Sequence, residues 1–351
     1  MKGTLLIRAD GNKGIGAGHV MRCLALAQAW QDGGGMAVFA FASASPALKK
    51  RLKSEGMKTA AVKATAGGNR DARKTAAIAL RLGASWVVVD GYAFGADYLA
   101  RLRVDGLRLA LIDDNGIVER HEAEIVINQN LYAREDRYRR QGKNTGLLLG
   151  SRYALIRREF LGQRTNRRRF REKGYRVLVT LGGADPLGLS PAAIRALGKL
   201  APAELEVRVV VGPANPNGNR CREEMRAASL RGEVISAAEN MAEHMVWADV
   251  AVAAAGSTCW EMACLGLPAI LVVTADNQAP IAASLHEAGI ARSLGRPGLT
   301  LESRIAAAAK GLLADAAARR EMCRRGRKLI DGRGAERVAR VLMKRQEGRQ
   351  P

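Results

Sequence analysis

Short apolar runs of strand length alternate with helix-period segments, and the alternation occurs twice along this chain. No other feature constrains the fold as strongly, because such alternation requires parallel sheets with helices on both faces. In the first cycle TLLIRAD (4–10), MAVFAFA (36–42), SWVVVD (85–90) and LRLALID (107–113) read as buried strands, with EIVINQN (124–130) as a further short one. Helices are expected at about 18–32, 46–55, 70–82 and 96–104. Residues 131–174 break the pattern: they are charged and Arg-rich, with GSRYALIRREF (150–160) as the one ordered-looking piece. The second cycle follows, with strands at YRVLVTLGG (175–183), ELEVRVVVG (204–212), GEVIS (232–236), ADVAVAAAG (248–256) and PAILVV (268–273). Helices are expected at about 189–200, 239–246, 258–266, 277–289, 301–313, 315–330 and 334–346. The pattern predicts an α/β chain of two Rossmann-like βα domains facing across a cleft. Their expected bounds are 1–160 and 175–332, joined by a linker at 161–174, with 333–351 as a C-terminal helix packing back on the first domain.

Composition narrows the function classes. At 351 residues the chain exceeds one ordinary core. The longest uncharged stretch, Gly33–Leu48, is sixteen residues broken by Gly, Ser and Pro, too short to span a bilayer. Arg8 and Asp10 interrupt the N-terminal apolar residues, so no signal-peptide core is expected. Five cysteines (Cys23, Cys221, Cys259, Cys264, Cys323) form no C-x-x-C pair and read as reduced thiols of a cytoplasmic protein. The histidines His19, His121, His244 and His286 lack ligand spacing, so no metal site is expected. The net charge of +22 would attract polyanions. Its excess lies in 152–176, with ten basic side chains including Arg164, Arg167, Arg168, Arg169 and Arg171, and in 319–349, with twelve basic and four acidic. Without interleaved aromatic residues these segments read as solvated linker or helix faces, not as a specific nucleic-acid site.

Ligands of open parallel sheets bind beyond the carboxyl ends of the strands, so the loops there are the candidate sites. The first is DGNKGIGAGHVMR, whose Gly11, Gly14, Gly16 and Gly18 allow close backbone approach. His19 follows at the start of a helix, whose positive end favours the neutral imidazole that can act as a base. GIGAGH is no dinucleotide fingerprint, since the third glycine is misplaced and no acid ends the second strand; no G-K-[ST] of a P-loop follows. In the second half, LGGADP (181–186) and AAGSTCWEMACLGLP (254–268) suit a nucleoside diphosphate. Gly256, Ser257 and Thr258 place backbone N–H groups and hydroxyls at a helix N-terminus. Glu261 either closes a capping box with Thr258 or binds ribose hydroxyls. Asp10, Asp90, Asp113 and Asp114 also end strands; as carboxylates they could bind a metal, but they are expected to cap helices or orient loops.

Strand, Gly-rich loop and a second βα domain with G-G-x-D and G-S-T-x-x-E-x-x-x-x-G-x-P resemble nucleotide-sugar enzymes of the GT-B architecture. RADGNKGIGAGHVMRCLALA, VVVDGY, LIDD, GSRYALIRREF, VTLGGADP, AAGSTCWEMACLGLPAI, DNQ and IDGRGAERV together are similar, in order and over nearly the whole chain, to the nucleotide-sugar hydrolases of pseudaminic acid biosynthesis. The DGNKG segment departs from the more Ser-rich loop expected there, and the chain is more basic. The resemblance implies cleavage of UDP-2,4-diacetamido-2,4,6-trideoxy-β-L-altropyranose by water. It implies His19 as the base, Tyr92 holding water and sugar, and Gly16 and Gly18 letting the diphosphate-sugar pass. Gly182, Gly183, Gly256, Ser257 and Thr258 would bind phosphate, Glu261 the ribose, and Asn277 and Gln278 the sugar. It implies no cofactor, no metal, no appended acetyltransferase domain, a monomer, and a UDP-sugar as the partner, with no membrane and no specific nucleic acid. Such a site needs donors for a diphosphate leaving group and a base near neutral pH, which backbone amides and a histidine supply. Two other readings compete: a glycosyltransferase of the same fold with a non-water acceptor, and a nucleic-acid binder explained by the charge.

Overall fold

Val-, Ile- and Leu-rich runs become parallel strands, buried throughout at the sheet centres, and helix-period segments cover them. The computed structural model describes residues 3–12, 14–104, 106–114, 116, 123–138, 145–165, 168–200, 202–212, 215–236 and 238–347. Lys13, His121 and Arg167 lie outside the described residues. The chain divides into two units: Met1–Arg158 with Gly332–Pro351, and Glu159–Asp331.

In the first unit the elements run β1 (Thr4–Ala9), α1 (Gly18–Asp32), β2 (Met36–Phe41), α2 (Pro46–Ser54), β3 (Lys58–Ala61), α3 (Asn69–Arg81), β4 (Ala84–Asp90), α4 (Ala96–Leu102), β5 (Arg108–Ile112), β6 (Ile125–Asn128) and β7 (Gly146–Leu149). Helix α5 (Arg158–Arg164) follows at the boundary. The described strands form a seven-stranded sheet in the order β3-β2-β1-β4-β5-β6-β7, every neighbouring pair parallel. Order reverses at β1, so the loops after β1 and β4 flank the switch point where ligands of such sheets bind.

The second unit carries β8 (Arg176–Thr180), α6 (Leu189–Gly198), β9 (Glu206–Val211), α7 (Gly218–Ala227), β10 (Arg231–Ser236), α8 (Met241–Trp247), β11 (Val250–Ala254), α9 (Thr258–Leu265), β12 (Ala269–Val272), α10 (Ala279–Glu287), β13 (Ala291–Ser293), α11 (Leu301–Ala314) and α12 (Ala316–Leu329). Its six-stranded parallel sheet has the order β10-β9-β8-β11-β12-β13, reversing at β8. The last helix, α13 (Gly334–Glu347), belongs to the first unit, where the indole Nε1 of Trp86 donates to the Leu342 carbonyl at 3.0 Å.

The α/β class with two Rossmann-like units is as the sequence predicts. Four elements went unread. β3 is a mostly exposed edge strand (KTAA), so it lacks the apolar run that marks its neighbours. β7 (GLLL) lies inside the segment read as having a single ordered piece, and its short apolar run is swamped by flanking charge. Helix α7 (GNRCREEMRA) buries only Gly218, Cys221 and Met225, and β13 has three residues. Residues 158–164, assigned mostly to a linker, form α5.

Candidate active site

Helix α1 begins at Gly18 after a loop that Asn12 organises: its Oδ1 accepts from the Gly14 and Ile15 amides, each at 2.9 Å, and its carbonyl from Gly16 N at 2.8 Å. Gly16 has φ +79°, and a Cβ there would meet open space, so the backbone is bare toward solvent at the helix entrance. The N-cap, Ala17, offers no side-chain acceptor, and the first turn holds no acid. The leading N–H groups of α1 are therefore left for water or an anion.

His19 lies in that first turn, 9% exposed. Its Nδ1 is 2.7 Å from Oδ1 of Asp90, the last residue of β4. Asp90 is fully buried and surrounded by donors. Arg22, one turn beyond His19, grips both of its oxygens, Nε to Oδ2 and Nη2 to Oδ1, each at 2.6 Å. The Cys23 thiol, which burial pushes far up and so keeps protonated, donates to Oδ2 at 3.3 Å. Burial alone would raise the Asp90 carboxyl, but the Arg22 guanidinium and the His19 ring outweigh it and hold Asp90 well below the usual carboxylate range. An ionised Asp90 can only accept, so the proton between the pair sits on His19 Nδ1. Arg22 Nη2, 3.2 Å from that nitrogen, is a second donor beside it and no partner to it. In the neutral ring the Nε2 edge then carries the lone pair, and it has no hydrogen-bond partner among the described residues. The ring also meets Tyr92 edge to face, centroids 4.9 Å apart at 80°, while Tyr92 is 58% exposed.

The network continues inward. Arg22 Nη1 donates to both Asp114 oxygens at 2.8 and 2.7 Å, and Asn130 Nδ2 donates to Asp114 Oδ1 at 2.8 Å. Asn128 Nδ2 in turn donates to the Tyr138 hydroxyl at 2.9 Å, and that hydroxyl to the Asp113 carbonyl at 3.0 Å. Charge-assisted bonds thus fix the loops after β4, β5 and β6 against α1. The strand-ending aspartates orient loops, as expected. Asp10 accepts from Ala42 N and Ser43 N at 2.8 Å, and Asp113 from Gly116 N at 2.9 Å. Asp90 and Asp114 hold their loops too, through bonds to His19 and Arg22 that the sequence reading does not name. A signal for this existed: His19, Arg22 and Cys23 recur at helical spacing on one face, opposite acids ending the neighbouring strands.

Because the folded-state Asp90 lies below its ordinary value of about 3.9, the stability it supplies is complete above that pH and is lost as pH falls through the folded value. Denaturant unfolding of the wild type therefore weakens below about pH 4. Asp90→Asn removes one titrating group, worth up to about 1.4 kcal/mol per pH unit, from that acid limb. Equal acid slopes in the two proteins would exclude Asp90 as a contributor.

In the second unit the remaining candidates gather at the carboxyl edge of its sheet. Gly182 and Gly183 follow β8, and the Gly183 carbonyl accepts from Gly212 N at 2.9 Å. A Cβ on Gly212 would stand 2.3 Å from that oxygen, so only glycine lets the loops after β8 and β9 meet. Asp185 steadies the same loop by accepting from Leu189 N and Ser190 N at 2.9 and 2.8 Å. Gly256, Ser257 and Thr258 follow β11. The capping-box reading of Thr258 is corrected: Ser257 holds the N-cap place, its side chain caps nothing, and Thr258 is already helical. Glu261 is buried in the first turn of α9. Asn277 and Gln278 sit in the turn after β12, where Gln278 Oε1 accepts from Thr274 N and Oγ1 at 2.9 and 3.0 Å. His19 and Tyr92 form one cluster at the switch point of the first sheet; the other ten candidates comprise Gly16 and Gly18 beside them and eight residues at the second sheet's edge.

Among the described residues no helix is long and apolar enough to cross a membrane. Residues 176–332 match the glycosyltransferase family 28 C-terminal domain. The chain is 26% identical over 167 residues to the spore coat polysaccharide biosynthesis protein SpsG of Bacillus subtilis, covering 47% of this chain and 49% of that protein. The chain spans about half the length of the curated relatives it matches. Among solved structures, MurG of Acinetobacter baumannii superposes with a TM-score of 0.66 at 17% identity, covering 97% of this chain and 99% of that one. The spinosyn rhamnosyltransferase SpnG gives a TM-score of 0.61 at 16% identity, with coverage of 97% and 99%. The chain therefore has the fold of the GT-B glycosyltransferases, and its second unit is similar to the family 28 C-terminal domain.

Proposed function

We propose that this chain is a nucleotide-sugar hydrolase that cleaves UDP-2,4-diacetamido-2,4,6-trideoxy-β-L-altropyranose. The family 28 match and the GT-B fold support a nucleotide-sugar enzyme, and the ordered sequence blocks support this substrate. One observation carries the mechanism: Asp90 fixes the His19 proton on Nδ1, so Nε2 presents a lone pair beside the exposed Tyr92. In the proposed step Nε2 takes a proton from water as its oxygen bonds to the anomeric carbon and the carbon–oxygen bond to UDP breaks. UDP leaves with the bond's electron pair from the opposite face, inverting the centre through an oxocarbenium-like state. The imidazolium formed is stabilised by Asp90, as in other Asp–His pairs. Gly16 and Gly18 let the diphosphate approach α1, whose leading amides favour an anion. Gly182, Gly183, Gly256, Ser257 and Thr258 would donate to the diphosphate, Glu261 would accept from the ribose, and Asn277 with Gln278 would face the sugar.

A second reading has a specific observation behind it. The family 28 match and the MurG and SpnG likenesses favour a glycosyltransferase with a non-water acceptor. Turnover in water enriched in heavy oxygen separates the two. Hydrolysis places the label in the anomeric hydroxyl of the free sugar, with UDP released in equal amount. UDP release that requires an added acceptor, with unlabelled sugar in the product, would replace hydrolysis by transfer.

A further inference from the structure

The two basic segments of the sequence behave differently. Along α12 and α13 the cations meet nearby carboxylates: Glu321 pairs with Arg324 and Arg325, and Glu336 with Arg333 and Arg340. Between 168 and 176 they converge instead on a cavity of about 210 Å³ in the second unit, lined by Arg168, Arg169, Arg171 and Arg176 with Trp247 and Asp249. Arg176 opens β8 and Asp249 directly precedes β11, so the cavity lies at the amino edge of the sheet, away from the loops assigned to the nucleotide.

The charges at this cavity are poorly balanced. Asp249, its one lining carboxylate, has Oδ2 occupied by the Tyr175 and Arg176 amides, each at 3.0 Å, and lies 3.9 Å from Arg171. Arg168 is not on a solvated linker face, as its sequence context suggests. Its guanidinium reaches the last turn of α8, donating to the Met245 carbonyl at 2.7 Å and to the Ala248 carbonyl. Its Nε is buried without a hydrogen-bond partner among the described residues. Burial, with Arg327 adding repulsion against the pull of Cys323 and Asp249, brings Arg168 down to about 10. Arg176 stacks over Trp247 with its carbon 5.6 Å from the ring centroid and pairs with Glu206, 3.4 Å from its Nε, while Arg171 lies over Tyr175 at 4.8 Å. Both guanidiniums are thus held at the rim, and the shortage of countercharge falls on Arg168, Arg169 and Arg171. Carbonyl dipoles and ring faces compensate these cations only partly, and a buried polar donor left unmade is costly.

We propose that this cavity is an oxyanion site for a phosphate group, separate from the nucleotide-sugar site. Arginine forks match phosphate geometry, and a doubly charged oxyanion supplies the countercharge that Asp249 cannot. The test titrates the full chain with inorganic phosphate against chloride at matched ionic strength, read by phosphorus NMR line broadening and by thermal shift. Saturable binding is expected, weakened about tenfold or more in Arg169→Ala/Arg171→Ala, because charge-assisted bonds are lost. The pair Arg169→Gln/Arg171→Gln, which keeps side-chain length, shows the same loss. Arg70→Ala/Arg73→Ala, an equal charge change on exposed residues of the other unit, weakens binding by less than about twofold. Non-saturable binding overturns the proposal, as does equal weakening in both kinds of variant. Binding of duplex DNA without binding of phosphate does so as well.

Discussion

His19→Ala lowers the rate constant for UDP-sugar cleavage by roughly 10²–10⁴ while KM changes little, because general-base assistance is lost and ground-state contacts are not. Asp90→Asn should fall in the same range for a different reason. The asparagine still fits, but its amide must either face the Arg22 donors or surrender the His19 proton, so the ring is no longer held with Nε2 as the base. Single-turnover kinetics separate this from a binding defect. Because the two residues act as a unit, the double variant should be little worse than either alone. A His19→Ala enzyme with near-normal turnover would remove the imidazole from the chemistry. Additive losses in the double variant would instead give Asp90 a role independent of the ring.

How much of this could be read beforehand depends on the range over which each signal acts. The strands declare themselves locally, because a parallel strand buried on both faces must be apolar throughout, as VVV in β4 and VAVAA in β11 are. Elements that bury little, such as β3 and α7, carry no such mark. His19 and the glycine loop before it were legible because their meaning lies within ten residues. The Asp90 role was not, since 71 residues separate it from His19 and only the parallel pairing of β1 with β4 brings the two together. Asp114, 92 residues from Arg22, is the same case one strand further along the sheet. Polar residues at strand ends have no periodicity to betray their partners; the topology supplies it. The basic segment at 168–176 misleads for a related reason: its composition suggests solvent, while Arg168 is used to close the end of α8.

A second arginine of the first unit shows how to tell a structural ion pair from one that serves the reaction. Arg8, fully buried in β1, donates from Nε and Nη2 to the two oxygens of fully buried Asp71 at 3.0 and 2.7 Å, and its Nη1 lies 2.9 Å from Asp10. Thr75, Tyr98 and Gly67 also donate to Asp71, so this carboxylate ties β1 to α3, α4 and the loop before α3. Phe94 covers the guanidinium at 4.8 Å. Arg8→Met keeps the bulk but leaves the acid buried without its cation, a loss of about 3–5 kcal/mol. For a unit of this size that corresponds to a fall of roughly 6–20 °C in the midpoint of its calorimetric transition. Adding Asp71→Asn should recover part of the loss, since the remaining donors then meet a neutral acceptor and only Asp10 is left without its cation. Below the lowered midpoint, turnover per folded molecule should stay near that of the wild type, because none of these groups touches His19. A midpoint shift under about 2 °C would show that water or relaxation replaces Arg8. If turnover drops while the midpoint holds, the Asp10–Arg8–Asp71 cluster belongs with Asp90 and Arg22 in positioning the site.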